Sequence, residues 1–103
     1  MSGRDLATQT VNFTIGNCTP MQSKSVFAFV DVEIVICGVG FWIRGVQARH
    51  VAGGGTSIHL PTYRAPDGTW RAAVELPEDL VAPMADAVLA YLVDEGVAVR
   101  KTA

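Results

Sequence analysis

From Ser25 to Ile36 the chain alternates without interruption. Val26, Ala28, Val30, Val32, Ile34 and Ile36 occupy every even position, and Phe27, Phe29, Asp31, Glu33 and Val35 fall between them. A period of two places all the even side chains on one side of a β-strand, so this segment presents a fully apolar face that another layer must cover. Its odd positions start with two aromatic residues and then become acidic. Phe27 and Phe29 therefore ask for cover on the second face as well, at one end only.

The flanking segments supply partners for this strand. Val11, Phe13 and Ile15 alternate with polar residues, predicting a first strand that ends in the stretch from Gly16 to Pro20. Cys37-Gly38-Val39-Gly40 provides a reversal, and Phe41 to Ala48 resumes the alternation, with Phe41 and Ile43 opposed to Trp42, Arg44 and Val46. Gly53-Gly54-Gly55 sets a turn before a short strand over Thr56 to Leu60. Pro61 to Gly68 reads as a loop, and Trp70, Ala72, Val74 and Leu76 predict a fifth strand.

After Pro77 the period changes. Leu80, Met84, Val88 and Leu92 recur at helical spacing, with Asp79 as the expected N-cap, Pro83 in the first turn and Gly96 as the stop. Strands followed by one amphipathic helix predict an α+β domain, an antiparallel β-sheet of about five strands with a C-terminal helix laid on its apolar face. The whole of 1–103 reads as a single domain, with 1–9 a flexible tail and 97–103 a second tail.

Composition agrees with one packed core. The 103 residues are 50% hydrophobic and 17% charged, which separates the chain from disordered sequences. The longest uncharged apolar run, between Glu33 and Arg44, is ten residues, well short of the ~18 that a membrane span needs. No membrane partner is expected. Residues 1–10 have no apolar stretch of the signal-peptide kind, so the expected location is cytoplasmic. Cys18 and Cys37 have no CxxC neighbour and read as reduced, half-buried thiols.

A formal net charge of −2 hides an uneven distribution. Arg44, Arg49, Arg64 and Arg71 face only Asp67 in residues 40–73, whereas residues 74–95 carry six acids and no base. The molecule should be electrostatically two-sided.

Catalytic chemistry has little to stand on. His50 and His59 are nine positions apart, and Asp31 and Glu33 are the only carboxylates at strand spacing, so no metal site, cofactor or catalytic residue is expected. The triple glycine lacks the Lys and the following helix of a phosphate loop, and reads as a turn.

The most specific stretch is Pro61-Thr62-Tyr63-Arg64-Ala65-Pro66-Asp67-Gly68-Thr69-Trp70-Arg71. Ala65 to Gly68 fits a type I turn, with Pro66 presetting the second position and Gly68 taking positive φ. The string as a whole, P-T-x-R-x-P-D-G-x-W-R, resembles the signature of the SpoVG family of septation regulators, where P-S-x-R-x-P-D-G-x-F-R is typical. The order of elements from about Val26 to Leu92 is also similar, as is the run from Asp86 to Tyr91.

That resemblance implies a small homodimeric α+β protein that binds DNA or RNA and tunes gene expression or septation. Arg64 and Arg71 stand at the motif's two arginine positions, and Tyr63 stands where the family usually has Lys. Residue alternation adds its own expectation. With Phe41, Ile43, Ile58, Leu60, Trp70 and Val74 in the core, Trp42, Arg44, His59 and Arg71 share the opposite sheet face. Cations mixed with an aromatic platform suit phosphates or unpaired bases.

The candidate nucleic-acid-binding residues are therefore Arg64, Arg71, Arg44, Arg49, Tyr63 and Trp42. Phe27, Phe29 and Trp42 are the candidate dimer interface, because aromatic and Arg patches also suit protein contacts. The alternative function is a protein-interaction module whose sheet face binds only itself or another protein.

Overall fold

A computed structural model describes residues 11–96; the two predicted tails lie outside the described residues. The fold is α+β. Strands β1 (Val11–Pro20), β2 (Val26–Ile36), β3 (Val39–His50) and β4 (Thr56–His59) form an antiparallel sheet in the order β1-β2-β3-β4. A separate two-stranded ribbon joins β5 (Thr62–Arg64) to β6 (Trp70–Ala72), and helix α1 (Glu78–Asp94) closes the chain.

The alternation of β2 is realised from Ala28 to Ile34, while Val26 and Ile36 at its ends are half-buried. Ala28, Val30, Val32 and Ile34 are fully buried and cluster with Met84, Val88 and Leu92 from one stripe of α1, together with Ile43, Val46 and Ala48 from β3; Leu80, at the start of the same stripe, is also buried. Burying each large aliphatic side chain of this layer is worth about 1.5–3 kcal/mol, so the sheet-to-helix seam is the main source of stability. The helix touches both edge strands, β1 and β4.

Three irregularities shape the sheet: one between Val26 and Ala28, where Phe27 has no register partner on β3, and two bulges that both lie opposite Asp31. On β1 the register passes from Ile15↔Val32 to Cys18↔Val30, and on β3 from Ile43↔Val32 to Val46↔Val30. Each edge of β2 thus meets two residues where it offers one, which bends the neighbours and increases twist. The β1 bulge lets the strand run on through the Gly16–Pro20 stretch where it was expected to end. The β3 bulge corrects a face assignment. Gly45 takes φ +80°, the alternation changes phase there, and Val46 joins Ile43 in the core instead of sharing the face of Trp42 and Arg44.

Other expectations are corrected as well. Pro61 to Gly68 contains β5, and the strand expected around Trp70 stops at Ala72. Because the ribbon stands apart from the main sheet, Trp70 is 67% exposed and lies outside the core. Phe41, near the turn end of the β2–β3 hairpin, is 40% exposed.

The helix begins after Pro77, with no side-chain cap from Asp79, and Pro83 is its sixth residue, past the first turn. Pro83 faces solvent, where water can serve the Asp79 carbonyl that the proline ring leaves without an N–H. Gly96 does follow the helix, with φ +74°.

Cys18 is half-buried as expected, and burial raises the pKa of its thiol above the usual value, with the Glu95 charge adding to the effect. Cys37 is exposed, because with Gly38 it forms the two-residue turn between β2 and β3, at φ +52° and +79°.

Candidate functional site

The sheet face turned away from α1 carries the polar chemistry. Between this face, the segment leading into β2 and the β5–β6 ribbon runs an open groove of about 760 Å³, lined among others by Met21, Phe29, Arg44, Gln47, Arg49 and Trp70. Two guanidiniums and an exposed indole thus border one apolar-floored depression.

Arg49 is held by a neutral acceptor. Gln47, two residues away on the same strand face, is only 7% exposed because the ribbon covers it, and its Oε1 accepts from Arg49 Nε at 2.9 Å and Nη2 at 2.6 Å. Gln47 Nε2 in turn donates to Thr62 Oγ1 at 3.2 Å, tying β5 to the sheet. The Gln47 amide therefore fixes the direction of Arg49 while leaving its charge uncompensated, and a guanidinium has further donors to offer.

Arg44 is placed differently. Its Nη1 lies 3.2 Å from Asp31 Oδ2, and its guanidinium stacks 4.6 Å from the centre of the Trp42 ring. A carboxylate partner cancels most of the field that Arg44 would present to an anion. Trp42 itself lies over Gly16 of the β1 bulge, where a Cβ would sit 2.7 Å from the indole Cζ3.

The motif around the ribbon is largely a self-contained hairpin. Gly68 has φ +88° and donates its N–H to the Ala65 carbonyl at 2.9 Å, as the turn assignment requires. Asp67 Oδ1 accepts from the Thr69 N–H at 3.0 Å and the Thr69 hydroxyl at 2.7 Å, and Arg71 Nη2 lies 3.2 Å from Asp67 Oδ2. The Thr69 hydroxyl and N–H hold the Asp67 carboxyl below its usual pKa, with Arg71 contributing in the same direction.

Register separates the two motif arginines. Arg64 pairs with Trp70 and Tyr63 with Arg71. Directly opposed residues share a ribbon face, so Arg64 sits with Trp70 and Thr62, while Arg71 and Tyr63 occupy the other side.

Of the six candidate ligand residues, Arg44 and Arg49 line the groove, Trp42 lies beneath Arg44, Arg64 is beside Trp70, and Tyr63 and Arg71 face away. Among the candidate interface residues, Phe29 lines the groove and Phe27 stacks on His50 with ring centres 4.6 Å apart.

Sequence reading missed Trp70, Gln47 and the bulge role of Asp31. The phase change at Gly45, from apolar Ile43 to apolar Val46 and Ala48, was the available signal for the bulge. His59 lies across from Gln47, with its Nε2 2.8 Å from Ser57 Oγ.

Among the described residues no three His, Cys, Asp or Glu side chains gather as a metal site, and no helix is long and apolar enough to cross a membrane. No family model, curated protein or solved structure matches this chain.

Proposed function

We propose that the chain is a small, non-enzymatic, homodimeric regulator in the cytoplasm that binds nucleic acid through its outer sheet face, in the manner the SpoVG resemblance implies. The observation that carries this reading is Arg49, a guanidinium oriented by the buried Gln47 amide with no carboxylate against it among the described residues, on the wall of a groove that also holds Phe29 and Trp70. Preset cations beside aromatic surface suit a phosphate chain with accessible bases. Arg64, on the Trp70 face of the ribbon, extends the same basic edge.

A second reading has its own support. Arg44 and Arg71 each spend their charge on an aspartate, and Val39, Phe41 and Trp42 expose apolar surface at one end of the β2–β3 hairpin. That combination suits a protein-interaction module.

Retention of the purified protein on mixed nucleic acid at low and moderate salt separates the two readings, with light scattering giving the solution mass. Salt-sensitive retention and twice the chain mass support the regulator. Retention at neither salt favours the protein-interaction module.

A further inference from the structure

The groove is suited to unpaired nucleotides more than to a duplex. Its volume of about 760 Å³ falls within the roughly 300–1,000 Å³ of clefts that enclose small ligands, room for a nucleotide or two.

The aromatic element points the same way. Trp70 is 67% exposed on a ribbon that Thr62 anchors to the sheet through Gln47, so its indole offers an open π-surface beside the groove. In a duplex the faces of the bases are already stacked on one another, and such a surface gains nothing from them. An unpaired base can lie against it.

The number of available cations agrees. A duplex surface rewards many phosphate contacts, commonly six to ten, whereas Arg49 and Arg64 are the two arginines of this region with no carboxylate partner among the described residues.

We infer that the groove takes a single-stranded segment, one base stacked on Trp70 and the adjoining phosphate on Arg49. This inference rests on the nucleic-acid reading above and sharpens it to a ligand class.

Fluorescence anisotropy with a labelled oligothymidine of about twelve nucleotides, within the range of single-strand site sizes, and with a duplex of the same length tests it. The wild-type protein is expected to bind the single strand at least about tenfold more tightly at low salt. Trp70→Ala should lower single-strand affinity at least about fivefold, as loss of one stacked base does, and move the single-strand to duplex ratio toward one. Trp70→Phe should keep most of both.

Equal or tighter duplex binding, or an unchanged ratio in a folded Trp70→Ala variant, overturns the single-strand inference while nucleic-acid binding stands. Binding of neither probe overturns both.

Discussion

The carboxylate of Asp31 accepts the backbone N–H of Gly45 at 3.1 Å, directly across the bulge that Arg44 and Gly45 create on β3. The second carboxylate oxygen takes Arg44, so one side chain both satisfies the bulge and neutralises the nearest cation of the groove. Asp31→Asn keeps an oxygen for the Gly45 N–H and removes the charge opposing Arg44. Because Arg44 is well exposed, stability should fall by no more than about 1 kcal/mol. Single-stranded nucleic acid should bind more tightly, with the log-affinity against log-salt slope steeper by about 0.7, the increment for one more neutralised phosphate. A titration over several salt concentrations checks both signs.

Gly68 tests the hairpin motif. Its φ of +88° strains any other residue, yet a Cβ there would meet only Arg64 Nη2, at 3.8 Å. The cost of Gly68→Ala is thus backbone strain without a clash, about 1 kcal/mol in urea unfolding. An unchanged unfolding midpoint would show that the turn does not hold the glycine in this conformation.

Gly16 presents the opposite case, a close approach without positive φ. A Cβ there would press on the Trp42 ring, which is partly exposed and free to swing away. Gly16→Ala should therefore displace the indole from Arg44 at a cost below about 2 kcal/mol. In a Trp70→Phe background, Trp42 emission should shift to the red. Emission identical to that of the parent would mean that the ring does not rest on Gly16.

His59 gives a pH dependence. Burial lowers the pKa of its imidazole below the usual value, and the neighbouring Arg49 charge lowers it further. Above the unfolded value of about 6.5 the ring is neutral in both states. As pH falls through that value the unfolded chain takes the proton first, so the stability contribution is lost down to the lower folded pKa. The ring is mostly exposed and the effect modest. His59→Gln should flatten this part of the stability profile between pH 7 and 5, and parallel profiles for the two proteins would remove His59 as its source.

The sequence made the core legible where one physical rule acted alone. The even residues in the middle of β2, Ala28 to Ile34, and the Leu80-Met84-Val88-Leu92 stripe have no alternative face to occupy, and both are buried as their periods require. Reading failed where a rule changed partway along a strand. Gly45 inserts one residue and reverses the phase of β3, so Val46 entered the core and Gln47 came to lie under the ribbon. Trp70 was misplaced for a different reason. Alternation tells which side chains share a face, but not which sheet a three-residue strand joins. The role of Arg71 was half-hidden in the motif itself, since Asp67 four residues earlier holds it within the hairpin.

Whether Arg49 and Arg64 hold nucleic acid on the groove side of the molecule is decided by a single comparison. Affinity for mixed-sequence single strands would be measured against salt for the wild-type protein, for Arg49→Gln/Arg64→Gln and for Arg71→Gln. Each single-strand phosphate that loses its cation flattens the slope by about 0.7, so the double variant should lose roughly 1.4 and bind every sequence more weakly, while Arg71→Gln stays close to the wild type. Wild-type binding with a slope that the double variant leaves unchanged, or no wild-type binding even at low salt, would contradict this assignment.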